Sequence, residues 1–241
     1  FNTQYADTDN TEVGELMKCF LQKEIDNDKF PELSDRLSYF KNDGKGVDSM
    51  CDIIKDYAKE YAKEYAKELK MLNITLPNVD KIPAVRFDEA KQKVSEKYGR
   101  KIRNPYDLEP EEEALIGKYY KEECGADFVF ITHYPSKKRP FYAMDDPEDA
   151  TYTLSFDLLF HGLEITTGGQ RIHDYNELLA KIEKRGMTTE GMEQYLSAFK
   201  HGMPPHGGLG IGLERLTMQL VGEDNVRETT LFPRDLSRLE P

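Results

Sequence analysis

The sequence has no apolar run long enough to cross a bilayer and no secretory segment at its start, so neither a membrane span nor export is expected. Cysteine is scarce: Cys19, Cys51 and Cys124 are the three among 241 residues. They are far apart, odd in number and without metal-ligand spacing. That excludes a disulfide framework and fits reduced thiols in a cytoplasm. Positive charge is also in short supply. With 33 Lys and Arg against 45 Asp and Glu, the formal net charge is −12. No general field draws such a chain to nucleic acid, and any RNA contact must use a local patch. Hydrophobic residues make up 38% and charged residues 32%, slightly lean but with enough Leu, Ile, Phe and Tyr for a core, which excludes a disordered composition. The chain begins at Phe1 rather than Met, as expected of a sequence incomplete at its start, and its length suits one large domain or two small ones.

Residues 1–55 read as short helices with polar links. Their apolar faces fall at 14–21, at Leu33, Leu37 and Phe40, and at Met50, Ile53 and Ile54, with a turn at 42–46. Residues 57–69 repeat Tyr-Ala-Lys-Glu. Three of those four are strong helix formers, so 56–70 is expected to be a half-solvated connecting helix.

From residue 71 the pattern changes. Residues 85–94 look like a strand end followed by a helix. Residues 110–120 form a helix with Pro110 and acids in its first turn. Residues 127–132 read as a buried strand. Residues 151–160 alternate, which places Tyr152, Leu154, Phe156, Leu158 and Phe160 on one face. Gly162 permits a tight turn into 163–167, helices are expected at 174–185 and 189–201, and a strand–helix unit at 207–221 ends at Gly222. Strands in consecutive hairpin order, with helices grouped between them, predict an α/β (α+β) fold on an antiparallel sheet over 71–241, preceded by a small helical segment.

Two groups of residues could carry chemistry. Glycines alternate along 207–212, which strips one face of a strand and makes room for a flat ligand such as a purine; a bulged or closely packed strand would look the same. Glu214 and Arg215 follow at the start of a helix, and a guanidinium can both stack on an aromatic ring and bind phosphate. In the second group, Glu164 follows a turn and could hold Mg²⁺ against phosphates, or face solvent at a sheet edge. Arg171, after two glycines, could grip a carboxylate through two parallel hydrogen bonds, or make a surface salt bridge. His206 is either a substrate contact or a loop residue. His133, His161, His173 and His201 have no metal spacing and read as structural or exposed. The basic residues 136–140 read as a hairpin tip, with RNA contact as the alternative.

The strings Phe128-Val-Phe-Ile-Thr-His-Tyr-Pro135, Arg139-Pro-Phe-Tyr142, Phe156-Asp-Leu, Glu164-Ile-Thr-Thr-Gly-Gly-Gln-Arg-Ile-His173, Pro205-His-Gly-Gly and Gly210-Ile-Gly-Leu-Glu-Arg-Leu resemble the aspartyl-tRNA synthetases. The resemblance spans about residues 65–241 and falls on the C-terminal part of the class II catalytic domain; the asparaginyl enzymes are close relatives. It implies ATP and Mg²⁺ as cofactors, and aspartate (or asparagine) and tRNA as partners. By position, Glu164 would bind Mg²⁺ and ATP, and Thr167 would help hold metal and amino acid. Arg171 would clamp the aspartate side-chain carboxylate, with His206 also contacting the substrate. Gly212, Leu213, Glu214 and Arg215 would line the ATP site, and Glu164 and Arg215 would serve the chemical step. The implied reaction joins aspartate to ATP as aspartyl-adenylate and then passes it to tRNA, chemistry that depends on positioning and charge neutralisation.

The resemblance departs on the N-terminal side. No anticodon-binding barrel is recognisable in residues 1–64, nor the first motif, which builds the family's homodimer interface, nor the second, whose arginine binds the α-phosphate. Impaired activity and exposed sheet edges are therefore expected. Residues 1–58 instead resemble the tail of transposase-like PD-(D/E)XK nucleases, which suggests a fusion of two gene fragments through the repeat helix. The alternatives to a ligase are a non-catalytic remnant or nucleotide-binding module and, less well matched, a synthetase-derived asparagine synthetase.

Overall fold

The computed structural model describes residues 60 and 62–234, and Pro31 besides. The helices expected within 1–55 and the first part of the Tyr-Ala-Lys-Glu repeat lie outside the described residues. The chain divides into two compact units, one of residues 1–70 and 173–205, the other of 71–172 and 206–241. Helix α1 (Ala66–Met71) closes the repeat and buries none of its residues, as its charged, regular composition would suggest.

The second unit holds β1 (Ala84–Arg86), α2 (Phe87–Tyr98), α3 (Pro110–Cys124), β2 (Phe128–Thr132), β3 (Ser155–Phe160) and β4 (Leu163–Arg171). After an excursion into the other unit by α4 (Tyr175–Lys184) and α5 (Glu193–Lys200), it resumes with β5 (His206–Ile211), α6 (Leu213–Val221) and a short 3₁₀ turn (Val226–Thr229). In the first unit, α4 and α5 bury Leu178, Ile182, Leu196 and Phe199. No helix among the described residues is long and apolar enough to cross a membrane.

The five strands lie in the order β1-β2-β3-β4-β5. All neighbours from β2 to β5 are antiparallel. β1 departs from the hairpin order expected of the sequence and runs parallel to β2, because α2 and α3 intervene and supply the crossover a parallel pair needs. Helix α3 starts on Pro110, with Glu112 accepting the Glu109 N–H at 3.0 Å, and ends at Gly125 with φ 71°. Glu112 also pairs in the interior with Lys91 at 2.9 Å, and Lys91 donates to the Asn104 carbonyl at 2.6 Å.

The sheet is covered unequally on its two faces. Under α2 and α3 lie Val85, Val129, Ile131 and Leu159, packed with Phe87, Val94 and Ile116. On the other face Phe128, Phe160 and Ile165 pack with Leu158 and with Leu216 and Leu220 of α6. The rings of Phe128 and Phe160 stack at 4.3 Å. The expected single strand over 151–160 is therefore corrected. Only 155–160 form a strand; Tyr152 and Thr153 make isolated bridges, and Ser155, Asp157 and Leu159 are buried while Phe156 and Leu158 are partly so. With cover on both faces, the alternation of Tyr152, Leu154, Phe156, Leu158 and Phe160 does not mark one buried side.

Register decides which side chains meet. Leu159 lies opposite Glu164 but Leu158 lies opposite Thr166, so Ile165 is an extra residue in β4. Directly opposed residues of antiparallel strands share a face. The bulge thus sets Glu164 on the same face as Thr167 and Arg171, together with Asp157 of β3 and with His206, Gly208 and Gly210 of β5.

The β3–β4 turn is wedged against α3. A Cβ on Gly117 would lie 2.4 Å from the Gly162 nitrogen, and one on Gly162, where φ is +82°, would lie 2.7 Å from Ala114 Cα. Both obstacles are backbone and cannot swing aside. Gly117→Ala is accordingly expected to cost about 1–3 kcal/mol, the usual penalty of overpacking. Urea unfolding measures it, and a variant as stable as the parent would contradict so close an approach.

Candidate active site

The part of the α2/α3 face that these helices leave uncovered forms a cavity of about 390 Å³. Arg139, Tyr142, Ser155, Thr167 and Arg171 stand in its walls, and Gly208 and Gly210 contribute bare backbone. The glycine at 208 is required. A Cβ there would come within 2.6 Å of Arg171 Nη2, so the missing side chain is what lets the Arg171 guanidinium lie across β5. The same guanidinium sits 5.0 Å from the Tyr142 ring centre. No carboxylate among the described residues pairs with it.

Two charged residues of the site were not singled out from the sequence. Arg139, in what reads as a basic hairpin tip, donates from Nη2 to Asp157 Oδ2 at 2.7 Å and from Nη1 to Thr167 Oγ1 at 2.8 Å. Its guanidinium carbon lies 3.8 Å above the Tyr134 ring. The other lysines of that tip are tied elsewhere, Lys137 over the Tyr106 ring at 4.6 Å and Lys138 to Asp107 at 3.2 Å. Asp157 is buried, and its Oδ1 makes no hydrogen bond. Burial, then the Asp157 charge, raise the Tyr134 hydroxyl well above the usual tyrosine value. One local signal for Asp157 existed: an aspartate inside an otherwise apolar strand.

Glu164 is held at three atoms. Its N–H donates to Glu113 Oε2 of α3 at 3.3 Å, its carbonyl accepts from Arg215 Nη1 at 2.9 Å, and its Oε1 lies 3.6 Å from the same nitrogen. Burial raises the Glu164 carboxyl, and Asp157 adds to the rise while Arg215 and Arg139 oppose it. Burial likewise pushes Glu113 up to about 7, opposed by the Glu164 N–H and aided by the Glu164 and Asp157 charges. Three carboxyl groups and two guanidiniums thus meet along the edge of α3.

The residues named from the sequence fall into three groups, with His206 apart from them. Thr167 and Arg171 line the cavity. Glu164 and Arg215 pair with each other outside its walls. Gly212, whose N–H donates to the Ile165 carbonyl at 2.8 Å, leads into α6, where Leu213 and Glu214 are exposed and do not line the cavity. His206 shares the site face, opposite Arg171, and also lies outside the cavity lining. Among the described residues no three His, Cys, Asp or Glu side chains converge as a metal cage.

The sequence matches the family of class II tRNA synthetases (D, K and N) over residues 8–236. It is 46% identical over 175 residues to an aspartate–tRNA(Asp/Asn) ligase of Aeropyrum pernix, a match covering 72% of this chain and 40% of that protein. The structure is similar to an aspartyl tRNA synthetase from Entamoeba histolytica, with a TM-score of 0.74 and 33% identity, covering 83% of this chain and 42% of the other. It is also similar to the asparaginyl-tRNA synthetase of that organism in complex with asparaginyl-adenylate, with a TM-score of 0.68 and 29% identity, covering 81% of this chain and 44% of that one. The chain spans about 40% of the length of the relatives it matches.

The raised Glu113 carboxyl makes stability depend on pH. Unfolded, Glu113 takes up its proton near 4.5; folded, near 7. Between these values the native state holds more protons, so stability is greatest at the acid end and is lost as pH rises from 4.5 to 7. Allowing for partial exposure of the side chain, the loss is on the order of 2 kcal/mol. Glu113→Gln is expected to remove that part of the slope, making the variant more stable than the parent at pH 8 and not at pH 4.5. Parallel stability–pH curves from urea unfolding would show that Glu113 titrates normally.

Proposed function

The chain belongs to the class II tRNA synthetases (D, K and N), and from that premise we propose that its exposed sheet face binds aspartate and ATP with Mg²⁺, as the amino-acid-activating part of an aspartate–tRNA ligase. The observation that carries this reading is Arg171: a guanidinium with no carboxylate partner among the described residues, set in a cavity by the absence of a side chain at Gly208. Such a group takes a ligand carboxylate through two parallel hydrogen bonds. Aspartate can supply its side-chain carboxylate and keep the α-carboxylate for ATP, whereas the side chain of asparagine ends in a neutral amide.

The neighbouring residues divide the remaining work. Thr167 points its hydroxyl at the same cavity, already oriented by the Arg139 N–H. Arg215 commits Nη1 to Glu164 and, being half exposed, keeps its other N–H groups for phosphate or the adenine ring. Gly212, Leu213 and Glu214 border the nucleotide at the head of α6, and His206 closes the far end of the amino-acid side. The donor set suits Mg²⁺, which prefers oxygens and needs only one or two carboxylates when phosphates complete its shell. Glu164, Thr167 and Asp157 share one face, and Asp157 Oδ1 is buried without a hydrogen bond. Bound Mg²⁺ would neutralise charge on the phosphate oxygens. The reaction is attack of the aspartate α-carboxylate on the α-phosphorus of ATP with loss of pyrophosphate, followed in the whole enzyme by transfer of the aspartyl group to tRNA. The residues of this chain hold the two reactants in place and balance their charge.

Isothermal titration with aspartate and with ATP plus Mg²⁺ tests the assignment. Arg171→Ala is expected to weaken aspartate binding roughly 10- to 100-fold, the range for losing hydrogen bonds to a charged group, and to leave ATP binding unchanged. Arg215→Ala should do the reverse. Tighter binding of asparagine than of aspartate would overturn the assignment of Arg171. Aspartate-dependent ATP–pyrophosphate exchange then separates a working ligase from a nucleotide-binding module, which would bind ATP without exchange.

A further inference from the structure

The face that carries Glu164 owes its geometry to a helix that contributes nothing to the cavity lining. Glu164 stands at the bulged start of β4, two residues after the β3–β4 turn, where the register with β3 shifts. Both polar groups of its backbone are nevertheless taken by side chains: the N–H by Glu113 Oε2 of α3 and the carbonyl by Arg215 Nη1 of α6. The turn beside it is pinned to the same stretch of α3. Gly162 approaches Ala114 and the Glu113 carbonyl so closely that an added Cβ would lie 2.7 Å and 3.0 Å from them. One turn of α3 therefore fixes both the entry of β4 and the peptide group of Glu164.

We propose that Glu113 is a positioning residue for Glu164: its side-chain oxygen holds the Glu164 N–H and so aims the Glu164 carboxylate, with Arg215 beside it, at the position where Mg²⁺ meets the nucleotide. This rests on the ATP and Mg²⁺ reading of the site. Glu113 itself touches no ligand. It acts as outer-shell partners of metal-binding carboxylates do, by restricting the ligand to one orientation. The role needs an acceptor oxygen at the end of a side chain of this length. It does not need a negative charge.

Two substitutions separate length from charge. Glu113→Gln keeps the reach and the acceptor and loses the charge; Glu113→Asp keeps the charge and withdraws the acceptor by one methylene. The Mg²⁺ concentration giving half-maximal ATP binding is measured by titration on the whole chain, alongside ATP binding without Mg²⁺ and the unfolding midpoint. Glu113→Asp is expected to raise the Mg²⁺ requirement about tenfold and to leave Mg²⁺-free ATP binding as in the parent. Glu113→Gln should stay within about twofold of the parent, and the Glu164 amide should exchange its hydrogen faster in Glu113→Asp than in Glu113→Gln. The inference is overturned if Glu113→Gln is the impaired variant, if neither variant changes the Mg²⁺ requirement, or if Glu113→Asp lowers ATP binding equally with and without Mg²⁺ together with the unfolding midpoint. A parent chain that binds no ATP takes the functional reading down and this inference with it, whereas a parent that binds ATP beside an unaltered Glu113→Asp refutes the inference alone.

Discussion

One inserted residue, Ile165, governs the arrangement of the site. In a regular strand Glu164 and Thr167 would point to opposite faces, because side chains alternate. The extra residue between the Leu159–Glu164 and Leu158–Thr166 pairs reverses that alternation once. It brings Glu164 to the face that bears Asp157, Thr167 and Arg171, and it sends Ile165 to the opposite face, into the packing of Phe128 and Phe160 against α6. The same residue thus serves the core on one side and the site on the other. Were the same sequence paired without the bulge, Ile165 would fall opposite Leu159 among the charged groups and Glu164 would turn toward the phenylalanines.

The glycines of β4 and β5 complete this arrangement by what they leave out. Gly169 lies so near β3 that a Cβ would come within 2.8 Å of Ser155 Cα, and Gly208 yields its space to the Arg171 guanidinium. An apolar strand at β5 would have filled the cavity with side chains. The cost is an edge strand with little to pack: Leu209 and Ile211 are more than half exposed. Much of the anchoring of this part of the sheet falls to α6, whose Leu216 and Leu220 reach the buried phenylalanines.

Local patterns made some of this legible in the sequence. Alternating glycines pointed to a stripped strand face, and the acids after Pro110 and the glycine at 222 pointed to helix ends. Arg171 and Glu164 stood out because a charge next to glycines or a turn has few structural uses. What stayed hidden depends on contacts between distant residues. Arg139 reaches Thr167 across 28 positions, and Glu113 reaches Glu164 across 51. In the sequence the first is one of several basic residues in a loop, the second one of three consecutive acids at a helix start. The bulge left no trace either, because Ile165 is an ordinary strand residue with neither glycine nor proline to mark it. The parallel pairing of β1 followed from the crossover through α2 and α3, whose packing no local pattern reveals.

Glu112 has a further consequence for this part of the molecule. Its Oε2 accepts both the Glu109 N–H that starts α3 and the Lys91 ammonium of α2, and Lys91 in turn donates to the Asn104 carbonyl in the loop between the two helices. Opening the Lys91–Glu112 contact would leave two unpaired charges in the interior. Helix start, connecting loop and neighbouring helix are thereby joined through one pair of side chains. Glu113 is the next residue along, so the helix turn that holds the Glu164 N–H is itself anchored by an ion pair outside the cavity lining.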